Sequence, residues 1–232
     1  MLSIGHQRDA GPGVFAEAVA AAGDELDQWW IAEQAAPPRE IAGYDAVITF
    51  GGAMNVDDEG DHGWLVAEKE ILRGLLAEQT PLLGVCLGAQ LVSEAAGGSP
   101  GRASEPEIGW FEVEVTSDGA EDPLLAGLEP RFEAFEWHSY ECNPPPGALT
   151  LARTPVCGQA FRFGPSAWGI QFHAEVTPQI VDGWIDGYRA DSDAVRIGVN
   201  PDALRAATRG RLQPQMTLGA ELCRRFLDAA RR

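Results

Sequence analysis

The stretch Pro81-Leu82-Leu83-Gly84-Val85-Cys86-Leu87-Gly88-Ala89-Gln90 sets one cysteine between two glycines, directly after an apolar run and directly before a helix-forming segment at 91–96. This order predicts a buried strand, a tight turn and a helix, the arrangement of a nucleophile elbow. Glycines two residues to either side of Cys86 remove side chains that would clash in such a turn, and the N-terminus of the following helix favours a thiolate. The pattern therefore predicts Cys86 as a nucleophile.

A second motif downstream supplies the partners that a cysteine nucleophile needs. The run Gln171-Phe172-His173-Ala174-Glu175 follows an apolar segment at 168–170 that is predicted to be a short buried strand. Because side chains two residues apart on a strand share a face, His173 and Glu175 are expected side by side. A free thiol has a pKa of about 8.5 and needs a base, which in turn needs a third group to fix its tautomer. Taken alone, Cys86 could be a buried core cysteine and His173 a half-exposed strand histidine. Together with the elbow, the two residues favour a triad.

The segments around the elbow predict the rest of the fold. Strands are expected near 2–4, 28–31, 44–50 and 81–85, with helices at 15–22 and 64–78 between them. This alternation predicts an α/β fold with a mostly parallel central sheet and helices on both faces. After Ile108, strands at 110–115, 132–137, 148–151 and 160–163 are expected to form a smaller flanking antiparallel sheet. Ligands bind at the carboxyl ends of parallel strands, where Gly51-Gly52 and Cys86 both fall.

The composition narrows the classes of function. The chain has 232 residues, a net charge of −18 and 45% hydrophobic residues. A strongly acidic surface is repelled by nucleic acid and by anionic membranes, so neither is expected as a partner. The chain has one lysine, Lys69, which gives little support to Schiff-base chemistry. The glycine-rich run 97–101 lacks the lysine and hydroxyl residue of a phosphate-binding loop.

The cysteines predict neither a disulfide framework nor a metal site. Cys86, Cys142, Cys157 and Cys223 form no C-x-x-C pair and no metal-ligand spacing with the histidines, so no cofactor is expected. If Cys86 is the nucleophile, three cysteines remain, which favours a reducing compartment. The N-terminus shows no basic region followed by a long apolar core, and no stretch reaches membrane-spanning length. A cytoplasmic location is the expectation.

Taken in order, the motifs resemble those of a known family, the class I (triad) glutamine amidotransferases. The similarity covers about residues 40–185 and, within the family, is to stand-alone domains similar to the amidotransferase domain of GMP synthase. Its motifs are 50–54, the elbow through Gln90, 107–110, 137–139, 159–161 and 171–175. One departure is Ala174, where the family usually has proline. The resemblance implies a flavodoxin-like α/β fold and a Cys86, His173, Glu175 triad.

The resemblance also implies roles around the triad. Attack on an amide generates an oxyanion, which needs backbone N–H donors. Leu87, directly after the nucleophile, offers one, and the family's glycine loop implies another at Gly52 or Gly51, for which a simple turn is the alternative. By resemblance, Gln90 contacts bound glutamine.

The segment after Trp137 resembles a further part of the family's pocket. Ser139 and Tyr140 resemble the backbone clamp on the amino-acid end of the substrate, and His138 beside them is either a pocket residue or an interior histidine. Elsewhere, His6 and His62 are expected to be solvated, and tryptophans such as Trp64 and Trp184 are expected to pack in the interior.

These features predict two parts and one leading function. Residues 1–190 are expected to form the amidotransferase domain, and 191–232 a C-terminal helical extension packed on it. The leading function is hydrolysis of the side-chain amide of glutamine through a γ-glutamyl thioester, with ammonia passed to an acceptor or synthetase subunit on a separate chain. The alternatives are a γ-glutamyl hydrolase acting on γ-glutamyl amides or peptides, and a non-catalytic regulatory subunit, which an intact triad disfavours. The oligomeric state does not follow from the sequence.

Overall fold

Short apolar segments form one sheet that runs through the molecule. A computed structural model of the chain describes residues 1–231, and in these residues nine strands form a single sheet in the order β2-β1-β3-β4-β9-β8-β7-β5-β6. The strands are β1 (Leu2–Gly5), β2 (Asp27–Trp30), β3 (Val47–Thr49), β4 (Leu82–Val85), β5 (Gly101–Val115), β6 (Arg131–Glu141), β7 (Leu149–Arg153), β8 (Gly158–Phe163) and β9 (Ala167–Ile170). The first five in the spatial order are parallel, and the others pair antiparallel.

Helices cover both faces of the parallel strands. They are α1 (Val14–Ala21), α2 (Trp64–Ala77), α3 (Leu87–Ala95), α4 (Ser117–Glu121), α5 (Pro178–Gly187), α6 (Ser192–Arg196), α7 (Pro201–Thr208) and α8 (Leu212–Ala230), with 3₁₀ turns at Ile41–Gly43 and Tyr188–Ala190. Successive strand residues point to opposite faces. Leu83 thus packs in one core with residues of α1 and α8, whereas its neighbour Leu82 packs in a second core with residues of α2 and α3. None of the described helices combines the length and apolar character that a membrane span requires.

The predicted fold class is confirmed, with three differences of detail. The antiparallel strands do not form a separate sheet, because β8 pairs antiparallel with β9, which pairs parallel with β4 on its other side. His173 and Glu175 lie in the loop after β9 rather than on a strand. The C-terminal segment expected to be a helical extension is divided into three helices, α6, α7 and α8, in the described residues.

Candidate active site

Cys86 lies in a strained turn between β4 and α3. Its φ of 53° and ψ of −112° are unusual for a residue with a side chain, and such strain persists only where the surroundings enforce it. Its N–H donates to the Ile170 carbonyl oxygen at 2.8 Å. A Cβ atom on Gly84 would lie 2.5 Å from the carbonyl carbon and oxygen of Gly88, so the turn closes only because position 84 carries no side chain.

The elbow leads to a prediction about stability. A Cβ atom on Gly88 would lie 2.1 Å from the Thr49 carbonyl oxygen, a backbone atom that cannot move aside. We expect Gly88→Ala to lower the free energy of unfolding by about 3 kcal/mol or more. Gly74→Ala is the matched control, because Gly74 lies inside α2 with nothing near its Cβ position, and it should raise stability by about 1 kcal/mol. Urea unfolding measures both; equal effects would contradict the steric explanation.

His173 links the thiol to a buried carboxylate. Its Nδ1 lies 2.8 Å from Glu175 Oε1, which leaves the other ring nitrogen free to face Cys86; both Cys86 and His173 line the same cleft and flank Gly51. The His173 backbone is held from both sides: its N–H donates to the Phe135 carbonyl oxygen at 2.9 Å, and its carbonyl accepts from Gln215 Nε2 at 2.8 Å. The structure therefore brings together the three side chains of the predicted triad.

The surroundings of His173 favour its charged form. Burial by itself lowers the pKa of His173, but the charge of Glu175 and the contacts with Cys86 outweigh burial and raise the pKa well above 6.5. A protonated imidazole beside the sulfur is poised to stabilise a thiolate and to give a proton to a leaving amine.

Two residues with backbone N–H groups that are unpaired in the described part of the chain line the same cleft as the thiol. Gly52 and Leu87 both line a cleft of about 450 Å³ that also contains Cys86 and His173. Within residues 1–231, the N–H of neither residue bonds to an acceptor in the chain. Unpaired donors beside a nucleophile are what an oxyanion requires. Gly51 is buried, and a Cβ atom there would lie 3.1 Å from His173 Cε1.

The residues expected to bind substrate lie on another wall of the cleft. Gln90, Ser139 and Tyr140 all line it. Gln90 Nε2 lies 3.3 Å from both the Tyr140 carbonyl oxygen and Gln171 Oε1, which fixes the Gln90 amide against β6. The roles of Gln90, Ser139 and Tyr140 in binding a ligand stay predictions.

His138 borders the cleft but turns its ring inward. Its side chain is 1% exposed; Nδ1 lies 2.9 Å from the Tyr140 carbonyl oxygen, and Nε2 lies 3.2 Å from Glu136 Oε2 and 3.4 Å from Glu107 Oε2. The structure thus favours the interior alternative, in which His138 positions Tyr140 and is not free to touch a ligand.

The cluster around His138 has some of the composition of a metal site. Glu107, His138 and Cys157 are buried and place their potential ligand atoms within 4.8 Å of one another. However, Glu107 Oε2 already accepts from Gln159 Nε2 at 2.8 Å and from Thr154 Oγ1 at 3.1 Å. Because this oxygen is occupied and His138 Nε2 lies within 3.4 Å of both carboxylates, the arrangement has the character of a buried ion cluster.

The cluster predicts a pH dependence of stability. Burial lowers the pKa of His138, but the neighbouring carboxylates of Glu107 and Glu136 outweigh burial and raise the pKa to about 10. A group whose pKa is raised in the folded state stabilises fully below its ordinary value of 6.5, and this contribution is lost as pH rises through 10. The free energy of unfolding should therefore fall between pH 6.5 and 10, with up to about 5 kcal/mol from this group. Urea unfolding at a series of pH values measures the free energy of unfolding as a function of pH. This free energy should fall less steeply with pH in His138→Gln than in wild type, and as steeply as in wild type in His62→Gln. The same pH dependence in both variants would contradict the assignment.

Three residues near the site differ from expectation or had no sequence signal. His6 was expected to be solvated but is 3% exposed, because its ring is enclosed by α2 and bonded at both nitrogens. Trp184 was expected only to pack, yet it lines the cleft with its ring centroid 4.6 Å from that of His173. Gln215 on α8 donates to the His173 carbonyl oxygen. Because the two residues are 42 positions apart, no local sequence motif indicates this contact.

Comparison with known proteins identifies the family. Residues 14–183 match the family model described as glutamine amidotransferase class-I. The chain belongs to this family. It is 30% identical over 162 residues to the glutamine amidotransferase-like protein YfeJ of Salmonella typhimurium, an alignment that spans 66% of each protein. It is 34% identical over 144 residues to the glutamine-hydrolyzing GMP synthase subunit of Ignicoccus hospitalis, which spans 60% of this chain and 71% of that protein.

Solved amidotransferase structures share the whole fold. A crystal structure of a glutamine amidotransferase from Thermotoga maritima superimposes with a TM-score of 0.86 and 26% identity, and the match covers 98% of this chain and 97% of that one. A glutamine amidotransferase from Methylobacillus flagellatus gives a TM-score of 0.85 and 25% identity over 99% and 94% of the two chains. The similarity to these amidotransferases thus includes the C-terminal segment that lies outside the family match.

Proposed function

We propose that this amidotransferase hydrolyses the side-chain amide of glutamine and delivers the ammonia to an acceptor on a separate chain. The observation that carries the proposal is that Cys86, in its elbow, and His173 line one cleft, with His173 Nδ1 2.8 Å from the buried Glu175 Oε1 behind it. The family match and the similarity to a glutamine-hydrolyzing GMP synthase subunit support glutamine as substrate.

In this proposal the Cys86 thiolate attacks the amide carbon of glutamine. The carbonyl oxygen becomes an oxyanion that accepts from the N–H groups of Gly52 and Leu87. Each such donor stabilises the transition state by roughly 3 to 4 kcal/mol. The His173 imidazolium gives its proton to the leaving nitrogen, the C–N bond breaks, and ammonia departs from a γ-glutamyl thioester.

The second half-reaction restores the enzyme. Neutral His173 takes a proton from a water molecule while the water oxygen attacks the thioester carbon. The tetrahedral intermediate collapses, the C–S bond breaks, and glutamate leaves as the Cys86 thiolate re-forms beside the imidazolium. Glu175 holds the His173 tautomer and stabilises its charge in both steps.

The proposed two-part organisation fits this chemistry. We place the catalytic unit in residues 1–190 and the helical extension in 191–232. In support, α8 packs against α1, and Gln215 on α8 fixes the His173 carbonyl. Asp191 accepts from Trp137 Nε1 at 2.9 Å and lines the cleft, so the extension also supplies part of the cleft wall.

The test compares two leaving groups on the purified chain. Ammonia released from glutamine and amino acid released from γ-glutamyl peptides are measured in parallel, with Cys86→Ala as the blank. Faster turnover of glutamine supports the amidotransferase proposal, and addition of a synthetase subunit should then consume the ammonia. Rapid cleavage of a γ-glutamyl peptide with glutamine a poor substrate would favour the hydrolase instead. Absence of turnover on both would favour the regulatory role.

A further inference from the structure

A buried pair of charged side chains lies directly behind the glycine loop. His6 follows β1 within the interior: its Nδ1 lies 3.0 Å from the Gly51 carbonyl oxygen and its Nε2 lies 2.8 Å from Glu68 Oε2 on α2. Both side chains are 0% exposed. The His6 ring also stacks on Trp64 with 5.0 Å between centroids, which fixes the plane of the imidazole. The proposed mechanism gives this pair no role.

The partners of His6 determine where its protons are. The Gly51 carbonyl oxygen only accepts, so Nδ1 donates to it. Glu68 accepts from Thr49 Oγ1 at 2.6 Å through Oε1, and its Oε2 lies 2.8 Å from His6 Nε2. When His6 carries the proton of this pair it is an imidazolium, and its bond to Gly51 is charge-assisted. Burial lowers the pKa of His6, but Glu68 and the backbone bonds outweigh burial and raise it, in agreement with this assignment.

The bond to the Gly51 carbonyl also orients the next N–H. The peptide bond between Gly51 and Gly52 is trans, so its C=O and N–H point in opposite directions. With the carbonyl turned to His6 in the interior, the Gly52 N–H turns to the cleft that contains Cys86 and Leu87. A peptide between two glycines flips at low steric cost. A flipped peptide would present the carbonyl oxygen to the oxyanion and repel it.

We infer that His6, backed by Glu68, is a positioning residue that holds the Gly51-Gly52 peptide with its N–H toward the oxyanion. The inference rests on the proposed function, because it assigns His6 to the oxyanion site of that reaction. It further implies that the oxyanion site is formed in the isolated chain, without a partner protein.

The test uses variants that keep or remove the donor to Gly51. His6→Ala removes it and should lower kcat for the preferred γ-glutamyl substrate on the order of 100-fold with little change in KM, the effect of losing one oxyanion donor. His6→Asn places an amide nitrogen where Nδ1 was and should recover at least about 10-fold of that loss. Glu68→Gln should lower kcat less than His6→Ala does, and Glu70→Gln, an exposed glutamate on the same helix, should leave it unchanged.

A second readout separates positioning from a general loss of structure. Alkylation of Cys86 by iodoacetamide forms no oxyanion, so its rate should be the same in wild type and His6→Ala. Equal losses of alkylation and turnover, or a His6→Ala variant with the kcat of wild type, would overturn the inference. A wild-type chain inactive on every γ-glutamyl substrate would count instead against the proposed function. In that case a crystal structure of His6→Ala tests the inference without an activity assay. A rotated Gly51 carbonyl supports the inference, and an unmoved one overturns it.

Discussion

Cys86→Ala should lower turnover of glutamine by about 10⁴-fold or more, since removal of a triad nucleophile leaves only the contribution of binding and of the oxyanion site. The variant should fold, because alanine at this position keeps the backbone of the elbow and both flanking glycines. Initial rates of ammonia release at saturating glutamine measure the effect, with circular dichroism to verify folding.

The other cysteines supply the control. Burial raises the pKa of Cys223 to about 12 and raises the pKa values of Cys142 and Cys157 as well, so all three are thiols at neutral pH. Cys223→Ala should therefore retain activity. A diazo-ketone analogue of glutamine should add its mass to the peptide that contains Cys86 and stop turnover. Labelling of another cysteine, with Cys86 unmodified, would refute the assignment.

The sequence predicts best those features that depend on neighbours along the chain. The elbow requires apolar residues, a glycine, the cysteine and a second glycine within a few positions, and the structure shows those glycines in contact. The parallel strands are likewise short apolar runs buried on both faces, and such runs can be predicted as strands from the sequence alone. The bounds of the parallel strands agree with expectation to within about three residues.

Burial of charged residues could not be predicted in the same way. The partners of His6 are 45 and 62 residues away, so nothing local distinguishes it from a solvated histidine. One signal was present on α2: Leu65, Glu68 and Leu72 share its buried face, and a glutamate on an apolar face requires a partner. The pairing of Glu107 and Glu136 with His138 depends in the same manner on strand register, which the alternating pattern alone does not fix.

The base and its orienter should differ in effect. We expect His173→Ala to lower kcat/KM about as much as Cys86→Ala does, because the thiolate loses its counter-ion and the leaving nitrogen its proton donor. Glu175→Ala should be less damaging by about 10- to 100-fold, since His173 remains. The charge of Glu175 is one of the influences that raise the pKa of His173 against burial, so the pKa should fall without it and fewer molecules should begin the reaction as the ion pair.

The double variant sharpens this comparison. If the three side chains act as one unit, His173→Ala combined with Glu175→Ala should be no slower than His173→Ala alone, because the orienter has nothing left to orient. Steady-state rates with glutamine, corrected for folded fraction by titration of Cys86 with iodoacetamide, measure all four proteins. Additive losses would place Glu175 outside the unit, in a role confined to folding of the loop after β9. Wild-type rates for His173→Ala would remove the base from the mechanism, and the thiolate would then need a different proton donor in the cleft.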